Sequence, residues 1–205
     1  MWRPSPGAVS SQFNLANIIT IARILLIPVF LVLLLSGIPE PYGDIAAAAV
    51  FILAAATDKL DGYVARRNAQ ITTLGQFLDP LADKLLIAAA LIALVSQGRV
   101  AAWLAIVIIG REIAVTVLRI IGISQGVSIP ADRYGKLKMV LQIVYVVYVL
   151  VPTADIARLI HVSTDVATII QWILAVVVVV VTLASGVRYF FNARGIIRMP
   201  GSPSW

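Results

Sequence analysis

Cysteine is absent from this 205-residue chain, and histidine occurs once, at His161. Without thiols there is no disulfide framework, no thiol nucleophile, no iron–sulfur cluster and no Cys-type zinc site. A single imidazole argues against a multi-histidine metal centre and a histidine-triad enzyme. Charge is scarce too. Asp, Glu, Lys and Arg supply 13% of the residues, where a soluble domain carries about a quarter. Apolar residues make up 60%, and the mean hydropathy is +0.98. These proportions exclude an ordinary cytosolic globule and a disordered chain. They point to an integral membrane protein of one domain. No internal repeat is present, so a two-fold repeated transporter is not suggested.

What the chain does have is long apolar runs. Stretches of the ~17–25 residues that cross a bilayer can be laid out six times, at 15–36, 45–64, 78–95, 100–121, 137–151 and 167–190. The predicted fold class is therefore an all-α integral membrane protein with six transmembrane helices. Turn chemistry separates the runs at Gly37-Ile38-Pro39, Ser96-Gln97-Gly98-Arg99, Ser124-Gln125-Gly126 and Pro152-Thr153. Pro28 lies inside the first run, where a kink is expected. If the N-terminus is cytoplasmic, the outer segments 37–44, 96–99 and 152–165 hold only Arg99 and Arg158 of the 16 basic residues. That asymmetry predicts both termini inside, in a multi-pass protein of the cell's inner (cytoplasmic) membrane. Residues 1–13 read as an uncleaved juxtamembrane segment, 14–194 as the six-helix domain and 195–205 as a cytoplasmic tail. The same asymmetry accounts for the net charge of +6 and pI of 10.0. With no solvated basic stripe, no nucleic-acid partner is expected. Trp103 and Trp172 read as interfacial anchors, and His161 as an ordinary residue of an outer loop.

Four of the ten acids fall in one short segment. Asp58 and Asp61 stand three apart at the cytoplasmic end of the second run. Asp79 and Asp83 stand four apart at the start of the third. Both spacings put a pair on one helix face, and the short connection should pack the two helices antiparallel, able to face each other. Four converging carboxylates cannot all stay ionised without compensation. A hard divalent cation removes the conflict, and oxygen-only donors favour Mg²⁺, Mn²⁺ or Ca²⁺, as one ion or two bridged ions. Gly62 and Ala65 lie beside the first pair and Gly75 beside the second, leaving room for a ligand. Arg66 is placed to grip a phosphate through both arms of its guanidinium. Deeper in the chain, Arg111 sits in the middle of the fourth run, where an unpaired charge is costly and functional by default. Glu112 is a natural counter-ion suspect, but adjacent helical residues do not face each other. Arg119 follows eight residues on, on a similar face. Lys136 and Lys138 flank the start of the fifth run.

The pattern Asp58-x₂-Asp61-Gly62-x₂-Ala65-Arg66-x₈-Gly75-x₃-Asp79-x₃-Asp83 resembles, at every specified position, the signature of the CDP-alcohol phosphotransferase family. The resemblance implies transfer of a phosphatidyl-type group from a CDP-linked lipid to an alcohol, with release of CMP. It also implies two metal ions, Mg²⁺ or Mn²⁺, and a homodimer. Within that family the sequence looks most like bacterial members whose acceptor is glycerol 3-phosphate. That likeness rests on Asn14-Leu15-Ala16-Asn17-Ile18-Ile19-Thr20-Ile21-Ala22-Arg23, Asp79-Pro80-Leu81-Ala82-Asp83-Lys84, Gly110-Arg111-Glu112-Ile113 and Gly135-Lys136-Leu137-Lys138. Lys59, where an aromatic is common, and Ala16, where many relatives have proline, depart from it.

By this resemblance Asp58, Asp61 and Asp79 are metal ligands, and Asp83 is both ligand and general base. Gly62, Arg66 and Thr72 become contacts to CDP-diacylglycerol, with Asn17, Thr20 and Gly75 beside them. An acceptor carrying its own phosphate needs cations near the metals. Arg111, Lys136, Lys138 and Arg119 are the candidates, with Arg188 a weaker one. The shared motif leaves inositol phosphate, serine and phosphatidylglycerol open as acceptors. A divalent-cation transporter is the rival from another class, although these acids gather at one membrane face.

Overall fold

The computed structural model describes residues 15–39, 41–68, 73–124 and 133–194, with side chains over 20–39, 41–57, 82, 84–122 and 137–193. Within them the chain is all helical. The elements are α1 (Leu15–Leu35), α2 (Tyr42–Asn68), α3 (Thr73–Ser96), α4 (Ala102–Ser124), α5 (Arg133–Leu150), α6 (Thr153–Leu159) and α7 (Thr164–Arg194). Each apolar run of the sequence coincides with one of the long helices. A helix satisfies its backbone groups internally, so even the β-branched stretch at 176–181 is helical inside α7. α1 continues through Pro28.

Large apolar side chains face outward as well as inward. Leu25, Ile52, Ile92, Ile106, Ile120, Ile173, Val180 and Phe191 are exposed. Thr20, Arg23, Asp44, Lys138, Gln142, Thr182 and Ser185 are buried. Water would disfavour so extensive an apolar exterior, whereas lipid accepts it. The buried apolar positions are rich in alanine, among them Ala47, Ala54, Ala90, Ala93 and Ala175, and small residues let helices approach closely in a membrane. The fold is that of a membrane-associated protein. By length and apolarity alone, among the described residues, α7 qualifies as a span over Thr164–Ala193. Over the described side chains, apolar stretches of α1, α2 and α3 run at Thr20–Leu35, Tyr42–Thr57 and Lys84–Ser96. α4 carries Arg111, Glu112 and Arg119 within its length.

α1 packs against both α2 and α3, more extensively than these two pack against each other. The antiparallel α2–α3 neighbours expected from the short connection are thus in contact but share α1 as their main partner. Phe30 of α1 and Phe51 of α2 lie with ring centroids 5.7 Å apart and planes tilted by 51°. α7 packs against α4 and α5, and α5 against α2 and α3, which joins the two groups.

One segment departs from the sequence reading. Residues 152–165 were expected as a plain outer loop, but they contain α6, bent by 102° from α5. Pro152 ends α5's ladder because it has no N–H to donate. Its carbonyl accepts from Asp155 (2.9 Å) and Ile156 (3.1 Å), and so starts the new helix. Ile156 and Ala157 are buried against Ala167 of α7. The helix closes through His161, whose φ is +54°. The His161 N–H donates to Arg158 O and the Val162 N–H to Ala157 O, the paired bonds of a left-handed helix cap. His161 is exposed, as expected for a loop histidine.

α3 ends the same way. Gly98 has φ +71°, its N–H donates to Val95 O, and the Arg99 N–H donates to Leu94 O. This turn then ties four helices together. Gln97 Nε2 donates to Leu34 O at the end of α1 (2.8 Å), and Arg99 Nη1 reaches Leu150 O at the end of α5 (3.4 Å). Arg99 Nη2 pairs with Asp44 Oδ2 at 2.8 Å, in the first turn of α2, where a carboxylate also suits the helix dipole. Gln171 Nε2 of α7 donates to Arg99 O at 3.2 Å. The Asp44 side chain is only 5% exposed, so Arg99→Met is expected to cost about 3 kcal/mol by stranding a buried carboxylate. The Asp44→Asn/Arg99→Met double variant should regain much of this, read as the thermal midpoint in detergent. His161→Gly should hold or raise that midpoint, because glycine escapes the Cβ penalty of about 1–2 kcal/mol at positive φ.

Candidate functional site

α2 is helical through Asp58, Asp61, Gly62 and Arg66, and α3 through Gly75, Asp79 and Asp83. The three- and four-residue spacings are therefore carried on helices. The side chains of these residues lie outside the described residues, as do those of Asn17 and Lys136 and the whole of Thr72. Among the described side chains there is no cluster of three or more metal-ligating groups.

The described structure next to this segment is polar and buried. Thr20 and Arg23 of α1 are completely buried. Arg23 Nε donates to Thr57 Oγ1 (3.3 Å), and the Thr57 hydroxyl donates to Ala54 O (2.7 Å). Thr57 immediately precedes Asp58, so a cation of α1 is docked where α2 enters the aspartate motif.

A second polar group joins α4, α5 and α7. Arg111 is 11% exposed and Lys138 7%. Arg111 Nη1 lies 3.2 Å from Glu112 Oε1, and the Lys138 ammonium donates to the same oxygen. One carboxylate oxygen thus serves cations from two helices. Arg111 Nη2 donates to Ser185 Oγ (3.0 Å), and Ser185 in turn donates to Thr182 O (3.0 Å). Gly186 makes this contact possible, since a Cβ there would stand 3.1 Å from Arg111 Cγ and 3.5 Å from its Nε. Arg111 Nε, Gln142 Nε2, Thr182 Oγ1 and the Tyr189 hydroxyl are buried without a hydrogen-bond partner among the described residues.

α3 is tied to the same group. The Lys84 ammonium, one residue beyond Asp83, donates to Thr116 Oγ1 of α4, and the Thr116 hydroxyl donates to Glu112 O (2.7 Å). Between α3 and α4 lies a cavity of about 310 Å³ whose lining is apolar apart from Lys84, Glu112 and Thr116.

Of the predicted acceptor cations, the structure brings Arg111 and Lys138 together. Arg119 and Arg188 are exposed. Eight residues advance a helix by two turns plus about 80°, which turns Arg119 away from Arg111's face. Glu112 also corrects an expectation. Adjacent residues diverge at Cβ, yet both side chains are long enough for their ends to meet, and Lys138 draws the carboxylate in. Ser185, Gly186 and Thr116 did not stand out in the sequence. A signal for Glu112 was present, because it is the only acid in α4 and α5.

The sequence profile described as CDP-alcohol phosphatidyltransferase matches residues 13–184. A Bacillus subtilis protein named CDP-diacylglycerol–glycerol-3-phosphate 3-phosphatidyltransferase is 43% identical over 189 residues, covering 87% of this chain and 94% of its own. A Mycobacterium tuberculosis protein named as a probable phosphatidylglycerophosphate synthase is 37% identical, covering 93% of this chain and 88% of its own. A Pseudomonas fluorescens protein with the same name as the Bacillus one is 54% identical over 110 residues, covering 52% of this chain and 54% of its own.

Thr116 links α3 to α4 through one hydroxyl. Thr116→Val, which keeps the shape and deletes the hydroxyl, is expected to lower stability by about 1–2 kcal/mol. Thr116→Ser should retain most of it, measured by thermal unfolding in detergent.

Proposed function

Because the chain belongs to the CDP-alcohol phosphatidyltransferase family, we propose that it transfers the phosphatidyl group of CDP-diacylglycerol to the sn-1 hydroxyl of glycerol 3-phosphate. The products are phosphatidylglycerophosphate and CMP, in phospholipid biosynthesis. The names of relatives that cover most of the chain support this acceptor. The observation that carries it is the convergence of Arg111 and Lys138, two largely buried cations from different helices, on one spot. A phosphate-bearing acceptor needs such a pair, whereas serine offers no phosphate to meet it. In this reading residues 14–194 form a catalytic domain of six membrane crossings, flanked by the 1–13 segment and the 195–205 tail. Both termini and the aspartate end face the cytoplasm, in the inner membrane, and the enzyme works as a homodimer.

Asp58, Asp61, Asp79 and Asp83 would hold two Mg²⁺ or Mn²⁺ ions. The donor set fits, being all oxygen and carried in two pairs on helices joined by the short 69–72 connection. When bound, such ions neutralise the diphosphate and polarise its phosphorus. Asn17, Thr20, Gly62, Arg66, Thr72 and Gly75 seat the CDP moiety. The two glycines leave space, and Arg66 grips a phosphate through its fork. Arg111 and Lys138, with Lys136, hold the acceptor's phosphate. Asp83 takes the proton of the sn-1 hydroxyl. The freed oxygen attacks the phosphorus that bears the diacylglycerol, the bond from that phosphorus to the bridging oxygen breaks, and CMP leaves with that oxygen. Positioning and charge stabilisation carry most of such a transfer, and no covalent intermediate with the protein is needed.

Purified protein given radiolabelled CDP-diacylglycerol should release CMP with glycerol 3-phosphate, and not with serine, inositol phosphate or phosphatidylglycerol. Chelation of divalent ions should abolish release, and Mg²⁺ or Mn²⁺ should restore it. Asp83→Asn should lower kcat by about 10²–10⁴-fold, the usual worth of a general base. Wild-type turnover in that variant would remove Asp83 from the base role.

A further inference from the structure

We propose that Glu112 is a positioning residue for the acceptor. Its carboxylate holds the Arg111 guanidinium and the Lys138 ammonium side by side as one receptor for a phosphate group. The inference rests on the reading of those two cations given above and adds the group that sets their geometry. Both are largely buried and arise from different helices, α4 and α5. Like charges in such surroundings repel strongly, and nothing in the helix backbone would keep them adjacent. Glu112 Oε1 accepts from both. Two donors on one oxygen stand no more than about 6 Å apart, close enough for one phosphate to accept from both.

The tether leaves binding capacity free. Arg111 spends Nη2 on Ser185, and its buried Nε has no partner among the described residues. An ammonium has three donors, of which Glu112 takes one from Lys138. Glu112 is itself held, since its carbonyl accepts from Thr116, which in turn accepts from Lys84 of α3. The receptor is thereby indexed to the helix that carries Asp79 and Asp83. A group that sets where the acceptor's phosphate rests should govern acceptor affinity and leave the chemical step alone.

The test is steady-state kinetics of Glu112→Gln in detergent micelles with both substrates varied. The substitution keeps the shape and a carbonyl acceptor while removing the charge. The expected result is a KM for glycerol 3-phosphate raised at least tenfold, with kcat within threefold and KM for CDP-diacylglycerol unchanged, alongside the lowered thermal midpoint that two unmatched buried cations entail. Glu112→Asp, which keeps the charge on a shorter stem, should recover part of the loss. Combined with Lys138→Met, Glu112→Gln should add little further, since the two act through one contact. An unchanged KM for glycerol 3-phosphate overturns the inference. So does a joint loss of kcat and both KM values, which marks a purely structural ion pair. If E112Q does not fold, E112D decides by the same criterion. Wild-type protein that uses another acceptor but not glycerol 3-phosphate overturns the functional reading and this inference together. An active wild type with an indifferent E112Q overturns the inference alone.

Discussion

Charge inside an apolar bundle has to be matched inside the bundle, because the surroundings offer no water to do it. The described structure is organised around that constraint. Asp44 is matched by Arg99, Arg111 and Lys138 by Glu112, and Arg23 reaches Thr57. Each of these contacts crosses from one helix to another or draws a second helix in. The polar groups therefore specify which helices meet and at what level, while alanine-rich seams permit the approach. A dispersive core of Leu, Ile and Val would tolerate sliding; a buried ion pair does not.

Much of the fold was legible in the sequence, because a membrane span is written as a long run of one kind of residue. The six runs and the turns at Gly37 and Gly98 were readable on that basis, and both glycines have positive φ. α6 was not readable, since Pro152 signals the end of one helix and the start of another equally well. Helix ends also overran the apolar runs. α2 continues to Asn68 and α3 begins at Thr73, because polar residues at the end of a helix cost it nothing once water is near. Arg99 looked like a stray exception to the charge asymmetry. The structure gives it three helices to hold, α2, α5 and α7.

The candidate site divides in the same way. Arg111 and Lys138 announced themselves as charges next to or within apolar runs, and the aspartate spacing announced a helix-borne pair on each side of a short connection. Ser185 and Gly186 could not be found that way, since a serine and a glycine in an apolar helix gain meaning only once α7 is known to lie against α4. Lys84 and Thr116 join the two parts. The chain is a family member whose aspartate segment lies on α2 and α3 and whose paired Arg111 and Lys138 lie on α4 and α5, with Ser185 of α7 against them. The Lys84–Thr116 contact passes between the two.

The level of that pair can be gauged from the helices alone. Gln171 touches the Arg99 carbonyl, which fixes one rim, and the helical rise from Gln171 to Ser185 is about 21 Å. A hydrocarbon layer is ~30 Å thick. Arg111, bound to Ser185, is therefore held about two-thirds of such a thickness along α7 from the Gly98 turn. Its charge and that of Lys138 sit within the length of the helices and not at that end of the bundle, so an anion that meets them does so between helices.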